Sequence, residues 1–382
     1  MWYYYKVKNV KKGGICLEIL NKSDKALCEE YENFAKSHIN GNFLQSLNWP
    51  KVKDQWGWDA VISRDKDGNI VGVCLVLVRK IPLFGCSFLY APHGPVCDWR
   101  DKAVMEDLFS GIKVLAKKHK CYDFMWDPCC EEKDRDIIEL MKSMGFSYTE
   151  NAPELSTIQA RNNYMLRDIK GKTEDEVMMT FKPDWRNRIR KAPRKGVVCK
   201  ACGKEALDDF YPLMQETGTR DGFAIRPKEY FAKMLDALGE EHCRLFVCYV
   251  NNEETGGKDV PVSGAVTTQY AGKTCYVYGA SSNKFRNTMP NYLMQWTMIQ
   301  WALKNDNFIY DFQGIPFYKD ENHPNYGVYK FKKGFNGEVV TYAGEFYYCF
   351  SPFKKRLVTV FEKIYRGLHE IQRRLKVKFR HK

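Results

Sequence analysis

The sequence predicts an α/β protein of two modules with similar topology, followed by a basic amphipathic C-terminal helix. Three observations carry this. The chain has 382 residues, 44% hydrophobic and 14% aromatic, which is long for one core and comfortable for two. The order helix, helix, strand meander, helix, strand is read twice along it. From Ser351 onward, apolar positions recur every three or four residues among many cations.

In the first module, "KSDKALCEEYENFAKSH" reads as a helix with Ser23 as a candidate N-cap. "FLQSLNWPKVKDQWG" reads as a short helix interrupted at Pro50. "DAVISRDKDGNIVGVCLVLVRKI" is two strands around a turn at Lys66, Asp67, Gly68 and Asn69. "SFLYAPHGPV" is a strand entering a loop, "DKAVMEDLFSGIKVLAKKHK" an amphipathic helix, and "YDFMWDP" a strand. In the second module, "KTEDEVMMTFKPDWRNRIRKA" opens on a capping box, Thr173 with Glu176. Two further helices follow, the second starting at Pro227. Then come the strands "CRLFVCYV", "PVSGAVTTQY" and "TCYVYGASS", the helix "NYLMQWTMIQWALKN" and the strand "FIYDFQGI". The expected boundaries are 16–155 and 156–340 for the modules and 341–350 for a strand returning toward the first. The helix takes 351–382, with Phe353, Leu357, Val360, Ile364, Leu368, Ile371 and Leu375 on one stripe.

Charge and composition narrow the function. The net charge is +13, and residues 351–382 alone hold eleven Lys or Arg against Glu362 and Glu370. A second patch, residues 182–196, has seven cations against Asp184. Such patches fit anionic partners: RNA, phosphate-bearing substrates or a lipid surface. The longest apolar run, Ile70 to Val78, ends at Arg79 and Lys80, far short of the roughly 20 residues of a membrane span. With no apolar leader read at the N-terminus, a cytoplasmic protein is expected. The fourteen cysteines are scattered through apolar runs, and the lone CxxC, Cys199 and Cys202, has no second pair or nearby His. Packing is expected there rather than a metal site.

Several stretches hold candidate functional residues. "YGVYKFKKGFNGE" reads as a strand with Lys330 and Lys332 on one face and Tyr329, Phe331 and Lys333 on the other. "WRNRIRKAPRKG" reads as a helix on which Arg186, Arg190 and Arg194 share a face until Pro193 breaks it, with Lys191 beside them. Tyr276 and Tyr278 share a strand face. Asp98, after "HGPV", is either a site carboxylate or the N-cap of the helix that follows.

Seven stretches, "FLQSLNWPKVKDQWGW", "YAPHGPVCDW", "WRNRIRKAPRKGV", "TGTRDGF", "YVYGASSNKFRNTMPNYLMQW", "YDFQGIP" and "YGVYKFKKGFNGE", in this order, resemble the FemABX family. These transferases build the short peptide branches of bacterial peptidoglycan. The likeness runs from about Phe43 to Glu345 and leaves no room for the coiled-coil arm of the longer members. It implies two acetyltransferase-like (GNAT-type) domains in tandem around a cleft. It also implies an aminoacyltransferase that takes an amino acid from aminoacyl-tRNA. The acceptor is the stem-peptide amine of a precursor, either lipid II or UDP-MurNAc-pentapeptide. Aminoacyl-tRNA is then a co-substrate, and no metal or other cofactor is implied. The sequence has no pyrophosphate loop of the type used by acetyl-CoA enzymes.

The chemistry is aminolysis of an activated ester through a tetrahedral oxyanion, so positioning and charge stabilisation dominate. By resemblance, Lys332 beside Phe331 stabilises the oxyanion. Lys53 and Arg220 hold the diphosphate, and Asp98 lies in the peptide channel. Tyr278, with Tyr276 and His93, meets the precursor. Arg186, Arg190, Lys191 and Lys330 lie toward tRNA. Two alternatives stay open: transfer to another amine, such as a lipid head group or a protein N-terminus, and a non-catalytic RNA- or membrane-binding adaptor. The tail, residues 352–382, is expected to lie on the inner membrane leaflet or, alternatively, to pack on the second module or on a partner.

Overall fold

The computed structural model describes residues 16–365. Leu368, Ile371 and Leu375 of the expected tail stripe therefore lie outside the described residues. The first half runs β1 (Cys16–Ile19), α1 (Lys25–Ser37), α2 (Trp49–Val52), β2 (Gly57–Arg64), β3 (Ile70–Ile81), β4 (Cys86–Ala91), β5 (Val96–Cys97), α3 (Lys102–Lys118), β6 (Cys121–Trp126), α4 (Arg135–Ser143) and β7 (Ser147–Tyr148). The second runs β8 (Asn162–Arg167), α5 (Glu174–Thr180), α6 (Pro183–Arg194), β9 (Val197–Cys202), α7 (Leu207–Asp221), α8 (Lys228–His242), β10 (Cys243–Val250), β11 (Val260–Tyr270), β12 (Lys273–Ser281), α9 (Pro290–Lys304), β13 (Ile309–Gly314), α10 (Tyr326–Lys333) and β14 (Glu338–Thr341). The chain then returns as β15 (Phe346–Cys349) and a helix over 352–365.

Two sheets result. The first has the order β1-β2-β3-β4-β6-β15-β7, with β5 on β3; the second has β14-β8-β13-β12-β11-β10-β9. Each is an antiparallel sheet interrupted by one internal parallel pair, β4 with β6 and β12 with β13. The mixed α/β class and the twofold repetition expected from the sequence are both present. The two halves meet in one shared core, where Phe43, Tyr31 of α1 and Trp49 of α2 come together with Phe210 of α7, Phe231 of α8 and Leu245 of β10. The outer face of the first sheet is covered by α3 and α4, that of the second by α5, α6 and α9. The strand β3 is near-continuously apolar because both of its faces are buried.

Local chemistry sets the element ends. Asp24, not Ser23, caps α1, its Oδ1 accepting from the Leu27 amide at 3.1 Å. Thr173 and Glu176 complete their capping box on α5. The helix α6 is not broken at Pro193, which falls in its last turn where one lost N–H bond is tolerated. The chain reverses instead at Gly196, where φ is +79°.

The stretch 326–333 is a helix rather than the expected strand. Its aromatics carry a three-to-four-residue period as well as a two-residue one. Tyr326 packs on Tyr329 at 5.7 Å and Phe331 on Phe335 at 5.5 Å. On a helix, positions two apart point away from each other, so Lys330 is exposed while Lys332 is buried.

Candidate active site

The strands β12 and β13 pair only over Lys273–Cys275 and Ile309–Asp311, then diverge. The fork opens on a cavity of about 450 Å³ between the halves, walled by Trp49, Lys53 and His93 from the first half and by Arg226, Tyr278 and Asp311 from the second. A second cavity, of about 250 Å³, lies along residues 152–162 and reaches Gly314. Ile158 and Gln159 line both.

Asp311 stands at the fork. Its Oδ1 accepts from the Gln313 amide at 2.6 Å, and its Oδ2 from Gln313 Nε2 at 2.8 Å and Asn163 Nδ2 at 3.3 Å. Burial pushes its carboxyl up to about 6, with the Gln313 amide and the Lys332 ammonium pulling the other way. Gln313 sits at φ +61°, a left-handed conformation unusual for a side-chain-bearing residue. The kink, at a register shift between Asp311 and Gly314, turns the next carbonyls toward α10. There Lys332 Nζ donates to Gln313 O at 3.1 Å and Gly314 O at 2.7 Å. Only 5% of Lys332 is exposed, and burial lowers its ammonium to about 7, partly countered by Asp311. An ammonium has three donors, so one N–H is uncommitted. Gln313 lines the larger cavity and Gly314 the smaller, so this ammonium is bonded to one residue from the lining of each.

The first half contributes a matching carboxylate, Asp127, just past β6. It accepts from the His93 amide at 2.6 Å and from the Tyr90 hydroxyl at 2.8 Å, and burial pushes it up to about 6. His93, at φ +50°, also places its ring Nδ1 3.1 Å from the Asp127 carbonyl oxygen. Asp98 is elsewhere: it is exposed and accepts from the Arg100 amide at 2.9 Å, while Asp101 caps α3.

Two cations flank one aromatic ring in the larger cavity. Lys53 Nζ lies 4.9 Å and the Arg226 guanidinium 5.2 Å from the Tyr230 ring centre. Lys53 is also 5.4 Å from Trp49. Burial, then the neighbouring Arg226, lowers Lys53 to about 8. Among the described residues no carboxylate forms an ion pair with either. Two unpaired, partly desolvated like charges are a standing invitation to an anion. Arg220 is not part of this group. It pairs with Asp221 at 2.8 Å and donates to Ser281 O at 2.8 Å, tying the end of α7 to the end of β12.

Tyr278 lines the cavity with its ring 6.2 Å from Tyr230. Tyr276 does not share its face. The register slips between Val266 and Thr267, leaving Val277 as an extra residue, and this bulge sends Tyr276 into the core under α9. Phe331 packs on Tyr292 at 5.1 Å, and its carbonyl accepts from Trp185 Nε1 at 2.9 Å. On α6, Arg190, Lys191 and Arg194 are exposed, and no carboxylate among the described residues pairs with them. Arg186 is half-buried, its Nη1 2.9 Å from Met179 Sδ. Sequence reasoning missed Asp127, Asp311, Arg226 and Tyr230. One signal was available: "YDF" occurs at the same point of both modules, as residues 122–124 and 310–312, and Asp311 is its second aspartate.

Two tandem sheets, each split by one internal parallel pair, with a buried lysine at the fork of the second, define a double GNAT-fold acyltransferase. The FemAB family model matches residues 27–255 and 251–363, and the chain belongs to the FemAB family. It is 29% identical to a lipid II:glycine glycyltransferase of Staphylococcus aureus over 413 aligned positions, covering 92% of this chain and 98% of that protein. The crystal structure of FemX matches with a TM-score of 0.81 and 26% identity over 89% of this chain and 99% of that one. A tandem GNAT protein from the clavulanic acid biosynthesis pathway shares the fold, with a TM-score of 0.51 and 11% identity over 88% of this chain and 99% of that one.

Proposed function

We propose that this enzyme transfers an aminoacyl group from aminoacyl-tRNA to the stem-peptide amine of a peptidoglycan precursor, building an interpeptide branch. The observation that carries the reading is the buried Lys332 ammonium, with one free donor, bonded to the carbonyls of Gln313 and Gly314, which line the larger and the smaller cavity in turn. The precursor enters the larger cavity, where Lys53 and Arg226 meet its diphosphate. The aminoacyl ester enters from the smaller one. The amine nitrogen bonds to the ester carbonyl carbon, and the charge that develops on the carbonyl oxygen is met by Lys332. The bond to the ribose oxygen then breaks. The amine's proton passes by way of Asp311 to the departing ribose hydroxyl. The exposed Arg190, Lys191 and Arg194, with Arg186 and Lys330, supply a cationic surface for tRNA phosphates. The ester brings its own activation, so the scheme requires neither coenzyme nor metal. The glycyltransferase relative is named for lipid II, which favours a lipid-linked over a UDP-linked acceptor and, with it, work at the inner face of the membrane.

The test mixes purified protein with a pool of charged tRNA and either lipid II or UDP-MurNAc-pentapeptide, read by mass spectrometry. One added aminoacyl residue, abolished by prior ribonuclease treatment, is expected. No mass gain with any charged tRNA rejects the reading.

A further inference from the structure

We infer that the helix over residues 352–365, with the neighbouring hairpin tip at 81–84, docks the enzyme on an anionic lipid surface. The helix is held to the first sheet by one side. Val358 is buried against Cys86 and Tyr122, Lys355 pairs with Asp123 at 2.8 Å and Glu362 with Arg79 at 2.7 Å. Phe353, Leu357, Val360 and Ile364 lie at i, i+4, i+7 and i+11, on one stripe turned well away from Val358. They are 73%, 39%, 49% and 57% exposed. An amphipathic helix that packs on its own domain buries such a stripe; this one anchors through ion pairs and presents its apolar stripe outward. Beside it, Phe361 stacks edge-on against Phe84 at 5.6 Å, and Leu83, next in the chain, is 66% exposed.

Charge selects the occupant. On the helical wheel Arg356 and Lys363 flank one edge of the stripe and Lys354 the other. The sequence beyond Ile364 adds seven more cations against Glu370 alone and continues the apolar spacing at Leu368, Ile371 and Leu375. A second copy would bring the same positive field and be repelled. An anionic bilayer accepts the apolar stripe into its interface and the cations into its head groups. The surface stands on its own geometry, so it and the proposed acyl transfer fail separately.

The test is co-sedimentation of the full-length protein with vesicles of equimolar phosphatidylglycerol and phosphatidylcholine, against vesicles of phosphatidylcholine alone. The wild type is expected on the anionic vesicles only and to be released by raised salt. The double variant Leu357→Glu, Ile364→Glu is expected to bind at least about tenfold more weakly. Both positions are exposed, so the fold survives, checked by circular dichroism and by unchanged transfer to a short-chain, water-soluble acceptor. Equal sedimentation of wild type and double variant overturns the inference. So does a wild type that elutes as a dimer which the double variant dissolves, because the stripe then belongs to a second copy.

Discussion

Replacing Lys332 with Met removes the ammonium while keeping much of the side chain's volume. Two effects on stability oppose each other. Burial takes this lysine from its ordinary 10.5 to about 7, on the order of 5 kcal/mol against the charged form. Because the folded value lies below the unfolded one, the penalty is full below pH 7 and fades as pH rises toward 10.5. Methionine lifts it. The same change strips the Gln313 and Gly314 carbonyls of their donor, about 1–3 kcal/mol each, and leaves Asp311 without its nearby positive charge. Near neutral pH the melting temperature therefore moves little. Turnover does not share this compensation: loss of one oxyanion donor lowers kcat about 10²–10³-fold. The pH profile of kcat, taken at saturating precursor so that the bound diphosphate keeps Lys53 charged, adds a second readout. For the wild type it rises as Asp311 ionises near 6 and falls as Lys332 loses its proton near 7. The variant's residual rate keeps the acid limb and loses the alkaline one. Steady-state transfer across pH, with circular dichroism melts alongside, checks both. A near-normal kcat, or an alkaline limb that persists, refutes the reasoning.

Arg226→Ala and Lys53→Ala each raise KM for the precursor roughly tenfold or more with little change in kcat, as expected for a charged contact worth about 1.5–3 kcal/mol. Arg220→Ala leaves KM unchanged; kinetics with the precursor varied would expose the reverse pattern. Asp59→Asn destabilises the protein at neutral pH by about 3 kcal/mol. Burial would raise that carboxyl, but His119, Lys118 and Lys22 outweigh it and hold it well below the usual range. Its stability is thus present above roughly pH 4 and lost as pH falls further, so denaturant melts of the variant show a flatter acid dependence. Gly334→Ala has an acceptable backbone (φ −71°) but places a methyl 2.0 Å from the Trp185 ring. Overpacking of about 1–3 kcal/mol and lowered kcat, through displacement of α10, are read from melts and turnover.

What the sequence makes legible here is what local pattern determines. The apolar run of β3, the capping box at Thr173 and the doubled order of elements each depend on neighbours in the chain. Lys53, His93 and Tyr278, which the motifs singled out, lie on the cavity wall. The remainder depends on contacts distant in sequence. "YGVYKFKK" satisfies both the strand and the helix period, and only packing against Trp185 and Tyr292 decides between them. Arg220 and Arg226 lie either side of the turn at Gly222, where φ is +73°, and that reversal determines which guanidinium faces the cavity. One bulge residue, Val277, separates the two tyrosines. The raised carboxyls of Asp127 and Asp311 arise from a burial that exists only once both sheets are in place.

The strand β15 lies between β6 and β7 in the first sheet, although some 200 residues separate Tyr148 from Phe346. The first half emerges from the ribosome with that slot empty. At about 5–20 residues per second, the strand that fills it arrives roughly 10–40 s later. During that interval β6 exposes an unpaired edge, a template for aggregation. Nascent chains of this protein are therefore expected to lean on chaperones until nearly the whole chain has been made, and a gene cut between its two halves would yield an N-terminal piece that cannot close its own sheet.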